Sequence, residues 1–151
     1  MHIIDEDQNW NYAGFWIRFV AYLIDGLVIF FLFTILLTIF TGDPFYQYRL
    51  QPMDFGGDYW SLIFSNWILN IMYYAGLESS SKQATLGKMV LGIKVINKSG
   101  ERLSPLNAIG RYLGKILSAL ILLIGFIMAG FDRKKQALHD KLAETYVVYG
   151  N

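Results

Sequence analysis

The stretch FWIRFVAYLIDGLVIFFLFTILLTIF, residues 15–40, decides how this chain folds, because it is apolar over the length of a membrane span. As a helix it would extend about 39 Å, enough to cross roughly 30 Å of hydrocarbon with some tilt. It nevertheless contains Arg18 and, one heptad later, Asp25. A carboxylate inside a membrane costs roughly 2.5–3.5 kcal/mol on insertion scales. Asp25 therefore either holds helices together through hydrogen bonds or binds a species that the protein transports.

The composition supports the membrane class and excludes several others. The chain has 151 residues, a one-domain length, and 54% of them are apolar, against about 45–50% in soluble domains. A net charge of +1 is too small to attract the negative backbone of a nucleic acid. The absence of cysteine excludes disulfides and thiol catalysis. Residues 1–13 contain no Lys or Arg, so we expect the first apolar run to remain as a helix rather than be cleaved as a signal peptide.

We predict an all-α integral membrane protein with a helical transmembrane bundle, a single domain over residues 1–151. Two spans are expected at 15–40 and 59–77, and a third apolar segment at 106–131 forms either a helix or a hairpin. Prolines and glycines interrupt residues 41–58, which favours a loop. The second span carries a polar stripe on one helix face, which lipid cannot satisfy and which should therefore face protein: Asn66, Asn70 and Tyr73.

The basic residues constrain the topology. Segments 78–112 and 132–141 are both basic, so the positive-inside rule places both in the cytoplasm. A β-hairpin at 93–103 and a β-type run at 145–149 are also expected to pair, which requires one side of the membrane. Three full spans would separate these segments. The third apolar block is therefore expected to re-enter the membrane, and Gly125 is the residue that could break it.

Asp25 needs a partner, and Arg18 is not the best candidate. Arg18 lies near the membrane boundary and would gain by extending its guanidinium outward, away from Asp25. A bound cation or a proton is one alternative. The other candidates are polar or charged side chains of the second and third apolar segments: Asn66, Asn70, Arg111 and Lys115.

Residues 84–92 are typical of a short amphipathic helix at the membrane interface. Lys88 would then contact lipid phosphate, with Lys94 close by at the same surface. We expect no enzyme, cofactor or metal site, because the sequence has neither a nucleophile–base pair nor a phosphate loop. Its two histidines, His2 and His139, cannot form a metal centre alone.

Several of these residues together resemble the RDD family of small bacterial membrane proteins. The resemblance covers about residues 14–149 and rests on 15–25, 85–95, Gly100, Arg111 and 138–148. The family is named for one arginine and two aspartates, which Arg18, Asp25 and Asp140 match. Glu144 departs from the pattern, since a glycine before the threonine would be more usual. The resemblance implies a multi-pass protein of the bacterial inner membrane, suggested to act in transport, with some members linked to sodium–proton exchange.

Two hypotheses about function follow. In the first, the protein transports a cation or proton, Asp25 binds Na⁺ or H⁺, and an oligomer is needed because the chain is small and has no internal repeat. In the second, it is a non-catalytic membrane subunit or scaffold in which Arg18 and Asp25 are structural. The partners are then the lipid bilayer and either further copies of the chain or other membrane subunits.

Overall fold

The computed structural model describes residues 10–49, 57–120 and 124–150. Its elements, in chain order, are α1 (Phe15–Thr41), α2 (Tyr46–Arg49), α3 (Gly57–Glu78), α4 (Leu86–Val90), β1 (Ile93–Asn97), α5 (Pro105–Leu120), α6 (Ile124–Phe131), α7 (Leu138–Leu142) and β2 (Thr145–Tyr149).

The first two predicted spans correspond to α1 and α3 within one or two residues at each end. α1 ends where Gly42 adopts a left-handed conformation (φ +72°) and donates its N–H to the Thr38 carbonyl at 2.9 Å. Within the described residues, α1 is the one helix both long and apolar enough to span a membrane, with a mean hydropathy of 2.6. α3 is long enough, at about 33 Å for 22 residues, but is more polar.

A two-stranded sheet joins distant parts of the chain at one end of the fold. β1 and β2 pair antiparallel, from Ile93 opposite Tyr149 to Asn97 opposite Thr145, and Tyr12 forms a bridge to Val148. The predicted pairing of 93–97 with 145–149 is confirmed. The predicted second arm of the hairpin is not a strand, because residues 101–104 leave the sheet after the turn at Asn97. Tyr12, β1 and β2 therefore lie at the same end of the fold, and their placement on one side of a membrane stays a prediction.

The third apolar block is a hairpin of α5 and α6. A Cβ built on Gly125 would lie 2.7 Å from the Cβ of Ser118. Residues seven apart in a continuous helix are about 10.5 Å apart along its axis, so the chain must reverse between them. The structure thus corrects the continuous-helix alternative over 106–131 to two helices, since a glycine permits this close approach. The two ends of the hairpin reach neighbouring residues: Asn107 donates to the Ala143 carbonyl at the end of α7, and Gln136 donates to the Thr145 carbonyl at the start of β2.

The helices are inverted relative to those of a water-soluble protein. On α5 the exposed side chains are apolar, with Leu106 80% and Leu113 50% exposed, whereas Arg111 and Ser118 are buried. α1 follows the same rule, because Asp25 is buried while most of its large apolar residues face outward. A helix in water turns its apolar face inward. These helices therefore suit an apolar surrounding, with their polar groups bonded inside the protein.

The contact between Ser118 and Gly125 gives a test of the hairpin. Gly125→Ala should destabilise the fold by about 1–3 kcal/mol, because the new methyl group overlaps Ser118. Gly110→Ala is the matched control in α5, since a Cβ there meets nothing within 4 Å. Thermal unfolding in detergent micelles should show a lower Tm for the first variant and an unchanged or slightly higher Tm for the second. Equal Tm values would contradict the hairpin.

Candidate functional site

Asp25 accepts three hydrogen bonds from three different residues. Tyr73 Oη and the Gly87 N–H each donate to Oδ1 at 2.7 Å, and Thr85 Oγ1 donates to Oδ2 at 2.6 Å. The carboxylate is buried, with 1% of its surface exposed. All three donors are neutral groups. Asp25 is thus held as a hydrogen-bonded carboxylate that links α1 to α3 and to the start of α4.

The local sequence explains why α4 begins at this carboxylate. Thr85 occupies the N-cap position of α4, where its side chain caps no backbone N–H and its hydroxyl donates to Asp25. Asp25 supplies the missing acceptor to Gly87 from another helix, and Tyr73 Oη accepts from the Leu86 N–H at 3.3 Å. A negative charge at a helix N-terminus is favourable. Asp25 therefore caps α4 across the fold.

Gly87 allows this close approach. A Cβ at this position would lie 2.2 Å from the Ala21 carbonyl oxygen and 2.9 Å from Asp25 Oδ1. Real Cβ atoms do not come this close to a backbone oxygen, so any larger residue would push α4 away from α1. The backbone of α4 is thus packed directly against the backbone of α1 at the carboxylate.

Arg18 extends away from Asp25, as predicted, and reaches the C-terminal part of the chain. Its guanidinium donates to the carbonyls of Ala13 at 2.9 Å and Lys135 at 2.6 Å, and it forms an ion pair with Asp140. The first turn of α1 is therefore fastened to α7 and to the segment before it.

Arg111 joins Asp140 to a further carboxylate. It donates twice to Asp140 Oδ1, at 3.0 Å and 2.6 Å, and once to Glu78 Oε2 at 2.5 Å. The Ala137 N–H also donates to Asp140, at 3.1 Å. Although burial acts in the opposite direction, the guanidiniums of Arg111 and Arg18 hold the pKa of Asp140 well below its usual range.

Glu78 is the second acid of this network and binds three cations. In addition to Arg111, Lys88 donates to its Oε1 at 2.6 Å and Lys115 to the same oxygen at 3.1 Å. Lys115 also lies over the ring of Tyr74, 4.2 Å from the centroid. The prediction that Lys88 contacts lipid phosphate is therefore wrong, because its ammonium is buried on Glu78. Lys94 is half-buried on β1, and its interfacial role stays a prediction.

The remaining candidates lie apart from Asp25. Asn70 donates its amide to Asn66, at 2.9 Å to the carbonyl and 3.0 Å to Oδ1, so the two amides bond each other on α3. None of the four side chains expected to contact Asp25 is among its hydrogen-bond partners. Sequence reasoning also missed Glu78, whose signal was its position: an acid at the end of an apolar helix, available to the buried Arg111 and Lys115.

A serine, a histidine and an aspartate come together at α7 without the geometry of a catalytic triad. His139 lies 3.5 Å from both Ser118 Oγ and Asp140 Oδ1, while Ser118 donates to the Gly114 carbonyl at 2.9 Å. Burial lowers the pKa of His139 to about 3, so the ring is neutral at physiological pH. Among the described residues no group of three or more His, Cys, Asp or Glu side chains could hold a metal ion.

Comparison with known proteins identifies the family of this chain. The family model described as the RDD family matches residues 12–144. The chain belongs to the RDD family. No solved structure matches it. Glu144, the departure from the family pattern, has φ +55°, a conformation that glycine adopts without strain.

Three Bacillus subtilis (strain 168) proteins are similar to this chain. The uncharacterized protein YxaI is 42% identical over 147 residues, covering 91% of this chain and 97% of YxaI. The uncharacterized membrane protein YteJ is 34% identical and covers 91% and 81%. The uncharacterized protein YckC is 28% identical and covers 91% and 84%. The family, the apolar α1 and the relative named as a membrane protein together indicate a membrane location.

The tight packing at Gly87 predicts that this position accepts no side chain. Gly87→Ala should displace α4 from Asp25, because the methyl group would overlap the Ala21 carbonyl. Gly76→Ala on α3 is the control, since a Cβ there meets nothing within 4 Å. Gel filtration and thermal unfolding in detergent should show aggregation or a strongly lowered Tm for Gly87→Ala and neither for Gly76→Ala. A stable Gly87→Ala protein would contradict this packing.

Because Arg111 lies in a buried network, its removal should lower the free energy of unfolding more than removal of an exposed cation. Arg111→Met leaves two buried carboxylates with fewer partners and should cost about 3–5 kcal/mol. Lys98→Met removes an ion pair to Glu144 between two mostly exposed side chains and should cost about 0–1 kcal/mol. Denaturant titration in micelles compares the two, and similar losses of unfolding free energy would argue against a buried network.

Proposed function

We propose that this protein spans the bacterial cytoplasmic membrane with α1 and α3, that α5 and α6 re-enter from the cytoplasmic side, and that both termini are cytoplasmic. Three observations support the arrangement. The helices expose apolar side chains and bury charged ones. The two ends of the hairpin bond to neighbouring residues, Asn107 to the Ala143 carbonyl that ends α7 and Gln136 to the Thr145 carbonyl that begins β2. The basic segments 78–112 and 132–141 lie toward the sheet end, in agreement with the positive-inside rule.

Within that membrane, the function that the geometry supports best is a non-catalytic subunit or scaffold. The observation that carries it is the complete set of hydrogen bonds to Asp25, from Tyr73, Thr85 and Gly87. The backbone contact between Gly87 and Ala21 leaves no room for a cation on that side of the carboxylate. Asp25 then holds α4 against α1, and the Arg18–Asp140 pair holds α7 against α1. The cytoplasmic elements are therefore packed rigidly on the membrane helices.

The polar pair on α3 supports a partner within the membrane. Asn66 and Asn70 are only half-buried, and although Asn70 donates to Asn66, two amides cannot satisfy all their donors and acceptors on each other. Lipid offers no hydrogen bonds to the rest, so a protein surface is the better neighbour. We therefore propose that this face of α3 meets another copy of the chain or a second membrane subunit, while the exposed apolar face of α1 contacts lipid.

A second candidate, cation or proton exchange, has one observation in its favour. Among the described residues, Asp25 accepts hydrogen bonds from the neutral donors Tyr73, Thr85 and Gly87 and from no cationic side chain. The hydroxyls of Tyr73 and Thr85 could turn their lone pairs toward Na⁺, or Asp25 could take up H⁺. An enzyme has no comparable support, because Ser118 and His139 are buried and poorly aligned.

Ion flux separates the two candidates. The protein is reconstituted into vesicles with a pH gradient, and Na⁺ uptake is measured for the wild type and for Asp25→Asn, which keeps a hydrogen-bonding side chain of the same size. The scaffold proposal expects no flux above empty vesicles for either protein. Flux in the wild type that Asp25→Asn abolishes, with an unchanged Tm, would instead establish exchange.

Cross-linking in native membranes tests the partner directly. The double variant Asn66→Leu, Asn70→Leu should lose the cross-linked dimer or partner band seen in the wild type, because the amides that need a protein neighbour are gone. Ser65→Ala is the control, since the Ser65 hydroxyl already donates to the Ser61 carbonyl at 2.7 Å within α3. A band that survives in the double variant, or its absence from the wild type, would count against the scaffold.

A further inference from the structure

The buried charges around Glu78 do not balance. Two clusters adjoin where Gly87 meets Lys88: the hydrogen bonds around Asp25, and the ion pairs around Glu78 and Asp140. Within the described residues they contain four cations, Arg18, Lys88, Arg111 and Lys115, and three carboxylates, Asp25, Glu78 and Asp140. All these side chains are at most 12% exposed in their ion pairs, and Asp25 is 1% exposed. An uncompensated charge in such surroundings is costly, and a buried group relieves the cost by losing its proton.

Only a lysine can relieve the excess, because arginine stays protonated in proteins. Lys115 is the better stabilised of the two lysines: its ammonium contacts Glu78 and also the face of the Tyr74 ring at 4.2 Å. Lys88 has Glu78 as its ion-pair partner and shares that oxygen with Lys115. Lys88 is therefore the cation that this cluster holds least firmly.

We propose that Lys88 is a proton-binding site, whose uptake and release of a proton switches the two clusters between one excess positive charge and none. The groups around it come from every neighbouring element: Glu78 from α3, Arg111 and Lys115 from α5, and Asp25 from α1, which binds the N–H of the adjacent Gly87. Asp140 of α7 acts through Arg111.

The electrostatics agree with this assignment. Burial lowers the pKa of Lys88 to about 7, and the charges of Arg111 and Lys115 act in the same direction, against the attraction of Glu78. Because Gly87 donates to Asp25, the proton is gained or lost one residue from the bond that joins α4 to α1. The site exists whether the protein is a scaffold or an exchanger. In either case it makes the charge beside Asp25 depend on cytoplasmic pH.

Lysine titration by NMR tests the proposal. The whole protein, labelled with ¹³Cε-lysine and held in lipid nanodiscs, is titrated from pH 5 to pH 10. We expect one lysine signal with a midpoint near pH 7 in the wild type, absent in Lys88→Met. Lys115→Met removes a neighbouring cation and should raise that midpoint by one pH unit or more. Lys82→Met, a change at an exposed lysine, should leave it in place.

The outcomes that overturn the proposal are distinct. All lysine signals remaining charged up to pH 9 would remove the site, and a signal near pH 7 that persists in Lys88→Met would assign the proton elsewhere. A signal that disappears in Lys115→Met would assign it to Lys115. Should Lys88→Met fail to fold, Lys115→Met and Lys82→Met still decide, because an unmoved midpoint in Lys115→Met contradicts the cluster.

Discussion

Each charge that this chain buries must be bonded inside the protein, and most of the structure follows from that constraint. Asp140 is the point where the constraint acts most strongly, because two arginines from different helices meet on it. Arg18 belongs to α1 and Arg111 to α5, so neither helix can move without leaving a buried carboxylate partly unpaired. Glu78 adds α3 and α4 to the same unit through Arg111 and Lys88. The five elements are therefore connected by ion pairs in addition to the buried apolar cluster that includes Ala21 of α1, Ala75 of α3 and Ala108 of α5.

Much of the fold could be predicted from the sequence because membrane helices leave a clear signal. The apolar run from Phe15 predicted α1 within one residue, and the β-type runs at 93–97 and 145–149 predicted the pairing of β1 with β2. The partners of Asp25 could not be predicted in this way. Helical periodicity shows which residues share a face, but Thr85 and Gly87 reach Asp25 from a five-residue helix about 60 residues later in the chain. Nothing local in the sequence connects a glycine and a threonine to that carboxylate.

Lys88 shows that a lysine predicted to lie at the surface can be buried. The interfacial helix was predicted correctly in place, and its exposed residues Leu86 and Val90 are apolar, but the helix is turned so that its lysine faces inward. The reason is Gly87. Because its missing side chain allows the backbone of α4 to press on Ala21 and Asp25, the next residue is directed into the space beside Glu78. The absence of a side chain at Gly87 thus determines the environment of the Lys88 ammonium.

The two clusters also explain why Asp25 and Asp140, the two aspartates of the RDD pattern, have different roles. Asp140 accepts from two guanidiniums and one backbone N–H, so its charge is fully compensated and its geometry is fixed. Asp25 accepts from neutral donors only, so its charge is compensated at longer range or not at all. Among the three carboxylates of the two clusters, Asp25 is the one held by neutral donors, and Lys88 directly follows Gly87, which donates to Asp25. One helix, α4, therefore provides both properties of this site. Gly87 bonds to Asp25 and holds α4 in place, and Lys88 is the residue that binds the proton.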